Sequence, residues 1–339
     1  MNPSVAAKEI NSGQVRPFYV LFGKDRYRMQ EFVSYLTERL LGPDERELGV
    51  VKFDTAETPV EEAVLEAETM PFFASRKLVL VRDQSVFASA AKEGKIQHDT
   101  DRLLAYVKQP SDTSVVVFAV HHDKLDERRK IVKTLKEKDA VIAFPELEGA
   151  ELTRWVVRRA KGQNRTMSEA AAERLIVRVG SNLQALSQET DKLCLHAGDG
   201  GTIEAEQVDA LTAPTLEEDV FALIDAMASS RIDRALALYR HLLVRKEEPI
   251  KIAALIARQF RIMLQIKELE QRSYSQQQMA SQLGLHPYAV KLAAEKARGW
   301  TTERLGGRLE QAAELDYRMK TGRIDKELGL ELFLLSLGA

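Results

Sequence analysis

The strongest constraint on this chain is a set of short apolar runs separated by helical stretches, all within residues 1–146. Phe18–Phe22, Leu78–Val81, Val115–Val120 and Val141–Phe144 lack the polar alternation of a half-exposed strand, so each reads as a strand buried on both faces. Val50–Phe53 reads as one more strand. Between these runs fall helical patterns. Asp25–Leu41 carries Phe32, Val33, Leu36 and Leu40 on one side and is stopped by Gly42-Pro43. The acidic stretch Val60–Met70, then Asp101–Val107 and Leu125–Glu137, complete the set, and the polar segment Ser89–Asp99 reads as a loop. Strands alternating with helices imply a parallel sheet covered on both faces.

After Pro145 the pattern changes, and no further strand is expected. Glu151–Gln163, Ser168–Val179 and Leu183–Ala197 have helical periodicity, with Gly198-Asp199-Gly200-Gly201 as a turn and Ala213-Pro214-Thr215 as a hinge. Arg154, Arg158, Arg159 and Lys161 give the first of these helices a basic side, which reads either as a solvated face or as a nucleic-acid-facing patch. From Glu218 on, long amphipathic stretches with short polar joins (219–229, 232–245, 249–270, 276–283, 287–298, 301–320 and 325–337) imply a packed all-helical domain. The expected division is therefore an α/β domain over 1–146, a small helical lid over 147–213 and an all-α domain over 214–339.

Chemistry is conspicuous in one connection. Pro71 disfavours helical geometry at Met70, so the acidic helix ends there. Between that end and the strand Leu78–Val81 lie Phe72 and Phe73, with Met70 before them and the cations Arg76 and Lys77 after. Such a connection normally sits at the surface. Either the two rings tuck under the sheet as core, or they form an apolar wedge with a polar rim, the mark of a protein-binding site.

A sheet domain followed by helices is also the layout of nucleotide-driven ATPases. A phosphate-cradling loop requires Gly-x-x-x-x-Gly-Lys-Ser/Thr, because backbone N–H groups and a hydroxyl must converge on phosphate and Mg²⁺. After the first strand this chain has only Phe22-Gly23-Lys24-Asp25-Arg26, with a carboxylate where the hydroxyl belongs. The run Val115–Val120 ends in His121-His122-Asp123, so the metal-holding acid is missing as well. Adjacent histidines on a strand project in opposite directions and do not make a metal site. No catalytic, cofactor-binding or metal-ligating set emerges from the six histidines and one cysteine. Cys194 lies in a helical pattern and reads as a packing residue; a single cysteine without an apolar span or leader points to a reducing cytoplasm and no membrane. The net charge of −2 gives no overall attraction to nucleic acid.

Four segments, in order, resemble one family. They are Tyr19-Val20-Leu21-Phe22-Gly23-Lys24-Asp25; Met70-Pro71-Phe72-Phe73-Ala74-Ser75-Arg76-Lys77-Leu78; Gly180-Ser181-Asn182-Leu183 with Glu189, Lys192 and Leu193; and Asp316–Gly322 with Lys320-Thr321-Gly322. Together they resemble the bacterial DNA polymerase III delta subunit, a clamp-loader component, over nearly the whole chain. The resemblance implies an ATPase-like (AAA+-type) α/β domain without a working nucleotide site, a helical lid and a C-terminal helical collar. It implies binding and opening of the sliding clamp (the beta subunit) in DNA replication, with Met70, Phe72, Phe73, Arg76 and Lys77 at the clamp. The implied partners are the clamp-loader ATPase subunits and a delta-prime-type subunit through the collar, and primed DNA through the assembled complex. The chain itself would hold no cofactor, and its link to nucleotidyl transfer is membership of the polymerase holoenzyme.

Two rival readings come from the residues. One is an unusual ATPase. The other is a nucleic-acid-binding regulator, because Gln278–Leu285 followed by His286–Arg298 has a helix-turn-helix outline, with Ala280 inward, Gly284 in the turn and Val290 on the second helix. A DNA reader needs Arg, Lys, Asn or Gln near the start of that second helix. His286-Pro287-Tyr288-Ala289-Val290 offers little of this, so a plain helical corner is favoured.

Overall fold

A computed structural model of the chain describes residues 1–72, 74–83, 86–87, 96–229 and 231–337. They divide into two compact units, Met1–Leu147 and Glu148–Ala339.

The first unit runs α1 (Pro3–Asn11), β1 (Phe18–Phe22), α2 (Arg26–Leu40), α3 (Arg46–Gly49), β2 (Val50–Asp54), α4 (Val60–Glu68), β3 (Lys77–Asp83), α5 (Thr100–Lys108), β4 (Ser114–Val120), α6 (Lys130–Glu137) and β5 (Val141–Ala143). The five strands make one sheet in the order β2-β3-β4-β1-β5, every pairing parallel. Side chains alternate along a strand. Phe18, Val20, Val79, Val81 and Phe118 therefore share one face, packed on Val64 of α4, Leu103 of α5 and Leu135 of α6. Tyr19, Leu21, Leu78, Val117 and Ile142 share the other, against Phe32 and Leu36 of α2 and Ile10 of α1. This is the parallel sheet, covered on both faces, that the apolar runs implied.

Three details depart from the sequence reading. Helix α1 had no strong apolar signal, yet Ala6 and Ile10 bury a narrow stripe beside α2. The expected helix from Leu125 begins at Lys130, because Asp126 is held in a turn by the Arg128 side chain at 2.9 Å and the Arg129 N–H at 3.1 Å reaches its carbonyl. Strand β3 runs on to Asp83, whose buried carboxylate accepts the N–H groups of Val86 (2.7 Å) and Phe87 (3.0 Å).

The second unit comprises α7 (Gly149–Gly162), β6 (Thr166–Met167), α8 (Glu169–Val179), α9 (Leu183–Ala197), β7 (Thr202–Ile203) and α10 (Ala205–Leu211). It continues with α11 (Leu216–Ala228), α12 (Ile232–Val244), α13 (Pro249–Gln271), α14 (Gln276–Leu283), α15 (Pro287–Ala297), α16 (Thr302–Lys320) and α17 (Lys326–Leu337). The expectation that strands end at Pro145 needs correction: β6 and β7 pair in parallel as a two-residue ribbon. Pairs that short leave no periodic signature, and this one is set by the preceding glycine turn. A side chain at Gly201 would meet the Ala197 carbonyl at 2.1 Å, and the Gly201 carbonyl accepts from the Thr166 N–H at 3.0 Å.

Helix α13 is the axis of the C-terminal helices. Its Ile252, Ile256, Phe260 and Met263 enter one core, while Ile262, Ile266 and Leu269 enter a second with α14 and α15. Phe260 meets Trp300 edge to face, ring centroids 5.5 Å apart. A cluster of four charges ties α8 to both sides of Pro214. Arg174 and Arg178 lie 2.6 and 2.5 Å from Asp209 on α10, and 3.2 and 3.6 Å from Glu218 on α11. Burial opposes the charge on Asp209, but the hydrogen bonds from Arg174 and Arg178 outweigh it and hold the carboxyl below its ordinary range. Cys194 is buried in α9, and that burial pushes its thiol up, as suits a packing residue. No helix among the described residues is long and apolar enough to cross a membrane.

Candidate functional site

Helix α4 ends at Glu68, short of the expected Met70, its Thr69 cap already extended at ψ 145°. The chain then projects. Met70 is 85% exposed and Phe72 90% exposed, and Arg76 is exposed beyond them. Phe73 lies outside the described residues. At Phe72 the tucked-under alternative is therefore not what the fold adopts.

Lys77 corrects the expected polar rim. It is only 5% exposed. As the first residue of β3 it shares a strand face with Val79 and Val81, the face that α4 covers. Its ammonium reaches the Glu66 carbonyl (2.9 Å), the Glu66 carboxylate (2.6 Å) and the Thr69 hydroxyl (2.7 Å). All three ammonium donors are thus spent on the last turn of α4, where unsatisfied carbonyls favour a cation. The alternation along β3 was the signal that marked it as inward.

Glu45, which sequence reasoning missed, holds the other side of the tip. It closes a 3-10 turn over Pro43–Glu45 and accepts the Gly42 N–H at 2.9 Å through one carboxylate oxygen and the Ser75 N–H at 3.0 Å through the other. These bonds, the Gly42 one first, hold its carboxyl below the usual range. Thirty residues separate Glu45 from Ser75, and no local pattern announces the pairing. Ala74, beside Ser75, packs partly buried against the core between the sheet and α1–α2.

The loop after β1 is built in the opposite spirit. Gly23 adopts φ +126°, and a side chain there would meet the Phe144 carbonyl at 2.3 Å. The Gly23 N–H donates to His122 (3.1 Å), the Asp25 N–H to Phe144 (3.1 Å) and the Arg26 N–H to Lys24 (3.0 Å), all backbone carbonyls. Donors that would have to turn toward a phosphate are already engaged. Asp25, nearly buried, caps α2 by accepting the Arg28 N–H at 3.0 Å and also binds the Arg28 guanidinium. A carboxylate thus occupies the helix N-terminus where an anion would dock. Lys24 lies near Asp123 (3.7 Å) and Glu146 (3.9 Å). His121 directly follows β4, the strand beside β1. Burial first, then the Arg26 and Arg82 guanidiniums, push its imidazole below the ordinary value.

In the second unit the helix-turn-helix outline is present, with Gly284 left-handed at φ 63° and Ala280 and Val290 buried against α13. The start of α15 faces inward. His286 caps it through Nδ1 (Tyr288 N–H, 3.2 Å), while Nε2 lies 3.0 Å from the Gly149 carbonyl and 3.3 Å from the Thr153 hydroxyl of α7. A base-reading helix needs that end open. On the expected basic side of α7, Arg159 is paired bidentately with Asp191, both distances 2.9 Å, while Arg154, Arg158 and Lys161 are exposed.

A five-stranded parallel sheet domain followed by a largely helical region defines the class, an α/β protein with a helical C-terminal part. Within that class the chain belongs to the DNA polymerase III delta subunit family. The family model described as "DNA polymerase III, delta subunit" matches residues 19–144, and the model for the C-terminal domain of the DNA polymerase III delta subunit matches 217–337. The chain is 39% identical over 330 residues to DNA polymerase III subunit delta of Bacillus subtilis (strain 168), covering 97% of this chain and 95% of that one. It is 24% identical over 273 residues to DNA polymerase III subunit delta of Escherichia coli (strain K12), covering 78% of this chain and 75% of that one. Among solved structures, the Bacillus subtilis DNA clamp loader delta protein superposes with a TM-score of 0.70 at 38% identity, covering 99% of both chains. The replication and clamp-loader character implied by the four sequence segments is thereby shown.

Proposed function

We propose that this chain binds the sliding clamp through the tip between α4 and β3 and favours the clamp's open form, without hydrolysing ATP itself. The observation that carries the reading is the display of Met70 and Phe72 at 85% and 90% exposure on a short, anchored connection. An apolar group kept in water at the end of such a loop has its favourable burial still to come, on a partner. Burying one Phe ring is worth roughly 1.5–3 kcal/mol. Phe73 belongs to the same tip by sequence, and Arg76 supplies a rim charge worth less than the rings. Opening follows from differential affinity, because a ligand shifts a closed ring toward an open one only by as much as it prefers the open form.

The engaged N–H groups of the Gly23 loop and the Asp25 cap support a nucleotide-free role for the sheet domain. On this reading residues 147–213 form the lid and 214–339 the collar, which joins the ATPase subunits and a delta-prime-type subunit. Primed DNA is met through the assembled complex. The test is retention of purified sliding clamp by the full chain, alongside Phe72→Ala and Phe73→Ala, with folding checked by circular dichroism. Loss of retention in the variants supports the tip as the contact. Equal retention by all three, with folding intact, removes the tip from the interface.

A further inference from the structure

Two side chains hold the tip at its two feet. Thr69, where α4 ends, is bonded by the Lys77 ammonium at 2.7 Å, and Ser75, where the chain turns into β3, gives its N–H to Glu45 at 3.0 Å. Five residues, 70–74, lie between, and they include the exposed Met70 and Phe72. Neither anchor belongs to the tip itself. Lys77 opens β3, a strand paired on both sides, and Glu45 sits in the turn before α3. The Glu45 carboxylate also accepts the Gly42 N–H at 2.9 Å, so its own position is fixed by a second bond.

We propose that Glu45 and Lys77 are positioning residues that clasp the feet of the 70–74 tip, so that Phe72 meets its partner already presented. The inference rests on the reading that the tip is the clamp contact. Its physical content is preorganisation: a loop that is binding-competent for only a fraction of the time loses apparent affinity by that fraction. The clasp raises that fraction without touching the partner. Lys77 in particular acts from inside the domain, its ammonium paired with Glu66.

Two measurements on the full chain test this. Hydrogen exchange reads the clasp alone. Glu45→Gln keeps the shape but leaves one acceptor oxygen for two N–H groups, so protection at Gly42 or Ser75 falls while the β3 and β4 amides stay protected. Unchanged protection at both positions overturns the clasp, whatever the clamp does. Association with purified sliding clamp reads its purpose. Glu45→Gln and Lys77→Met lower the association rate by about three- to tenfold and leave dissociation within about twofold, as a reduced competent fraction requires. Phe72→Ala, by contrast, speeds dissociation. Parent-like association in both anchor variants overturns the proposal. Should the parent chain itself fail to bind the clamp, the reading of the tip falls, and the exchange measurement still decides whether the clasp exists.

Discussion

Two loops of the sheet domain lie at opposite ends of the parallel strands and are made by opposite rules. The Gly23 loop follows β1, at the edge where the strands end and where open α/β sheets ordinarily take their ligands. Its N–H groups are turned onto neighbouring carbonyls, its helix N-terminus is filled by Asp25, and its glycine is pressed against Phe144. The α4–β3 connection lies at the edge where the strands begin, and it sends apolar side chains outward. One loop satisfies its polar groups and closes; the other anchors its feet and leaves its burial incomplete.

The contrast can be broken most severely at the closed loop. Gly23→Ala places a side chain into a carbonyl at a φ that L-residues avoid, and unfolding should become easier by about 3 kcal/mol. Chemical denaturation measures it, and a loss below about 0.5 kcal/mol would mean the loop yields. At the open tip the expectation reverses. Phe72→Ala should leave stability unchanged but weaken clamp binding at least about tenfold, or about 1.4 kcal/mol, by surface plasmon resonance. Asp25→Ala removes the α2 cap and should cost about 1–2 kcal/mol of stability. It should not create a nucleotide site, since the Gly23 and Asp25 N–H groups stay engaged; calorimetric Mg-ATP binding tighter than about 1 mM would contradict that. The smallest effect concerns acid. Glu45 has a lowered carboxyl, so its contribution is complete above the ordinary value of 4.5 and is lost as pH falls through the lower folded value. Exchange protection at Gly42 and Ser75 should follow that loss, and its persistence at both positions in Glu45→Gln at neutral pH would break the link.

The sequence carried the sheet domain well because its strands are buried on both faces, and an unbroken run such as Val115–Val120 has no other common use in a chain of this composition. Short pieces that borrow their stability were not legible. The β6–β7 ribbon depends on a glycine turn, α1 on a two-residue stripe, and α10 on Val208 alone. At the tip, Met70 and Phe72 could be picked out because large apolar residues flanked a proline at a helix end. The role of Lys77 was obscured by its neighbour. Arg76 and Lys77 are adjacent in sequence, yet one step along a strand reverses direction, and only the second reaches α4. Glu45 is a tertiary partner, and no spacing rule brings residue 45 to residue 75.

The charges of Arg174, Arg178, Asp209 and Glu218 bear on how force would travel through the second unit. Pro214 looks by composition like a joint, but the arginines of α8 grip the chain before it and after it. Rotation about that backbone must first pull apart partly desolvated ion pairs, and a guanidinium separated there is left without its counter-charge. The four charges thus brace the segment between α10 and α11 at its two ends.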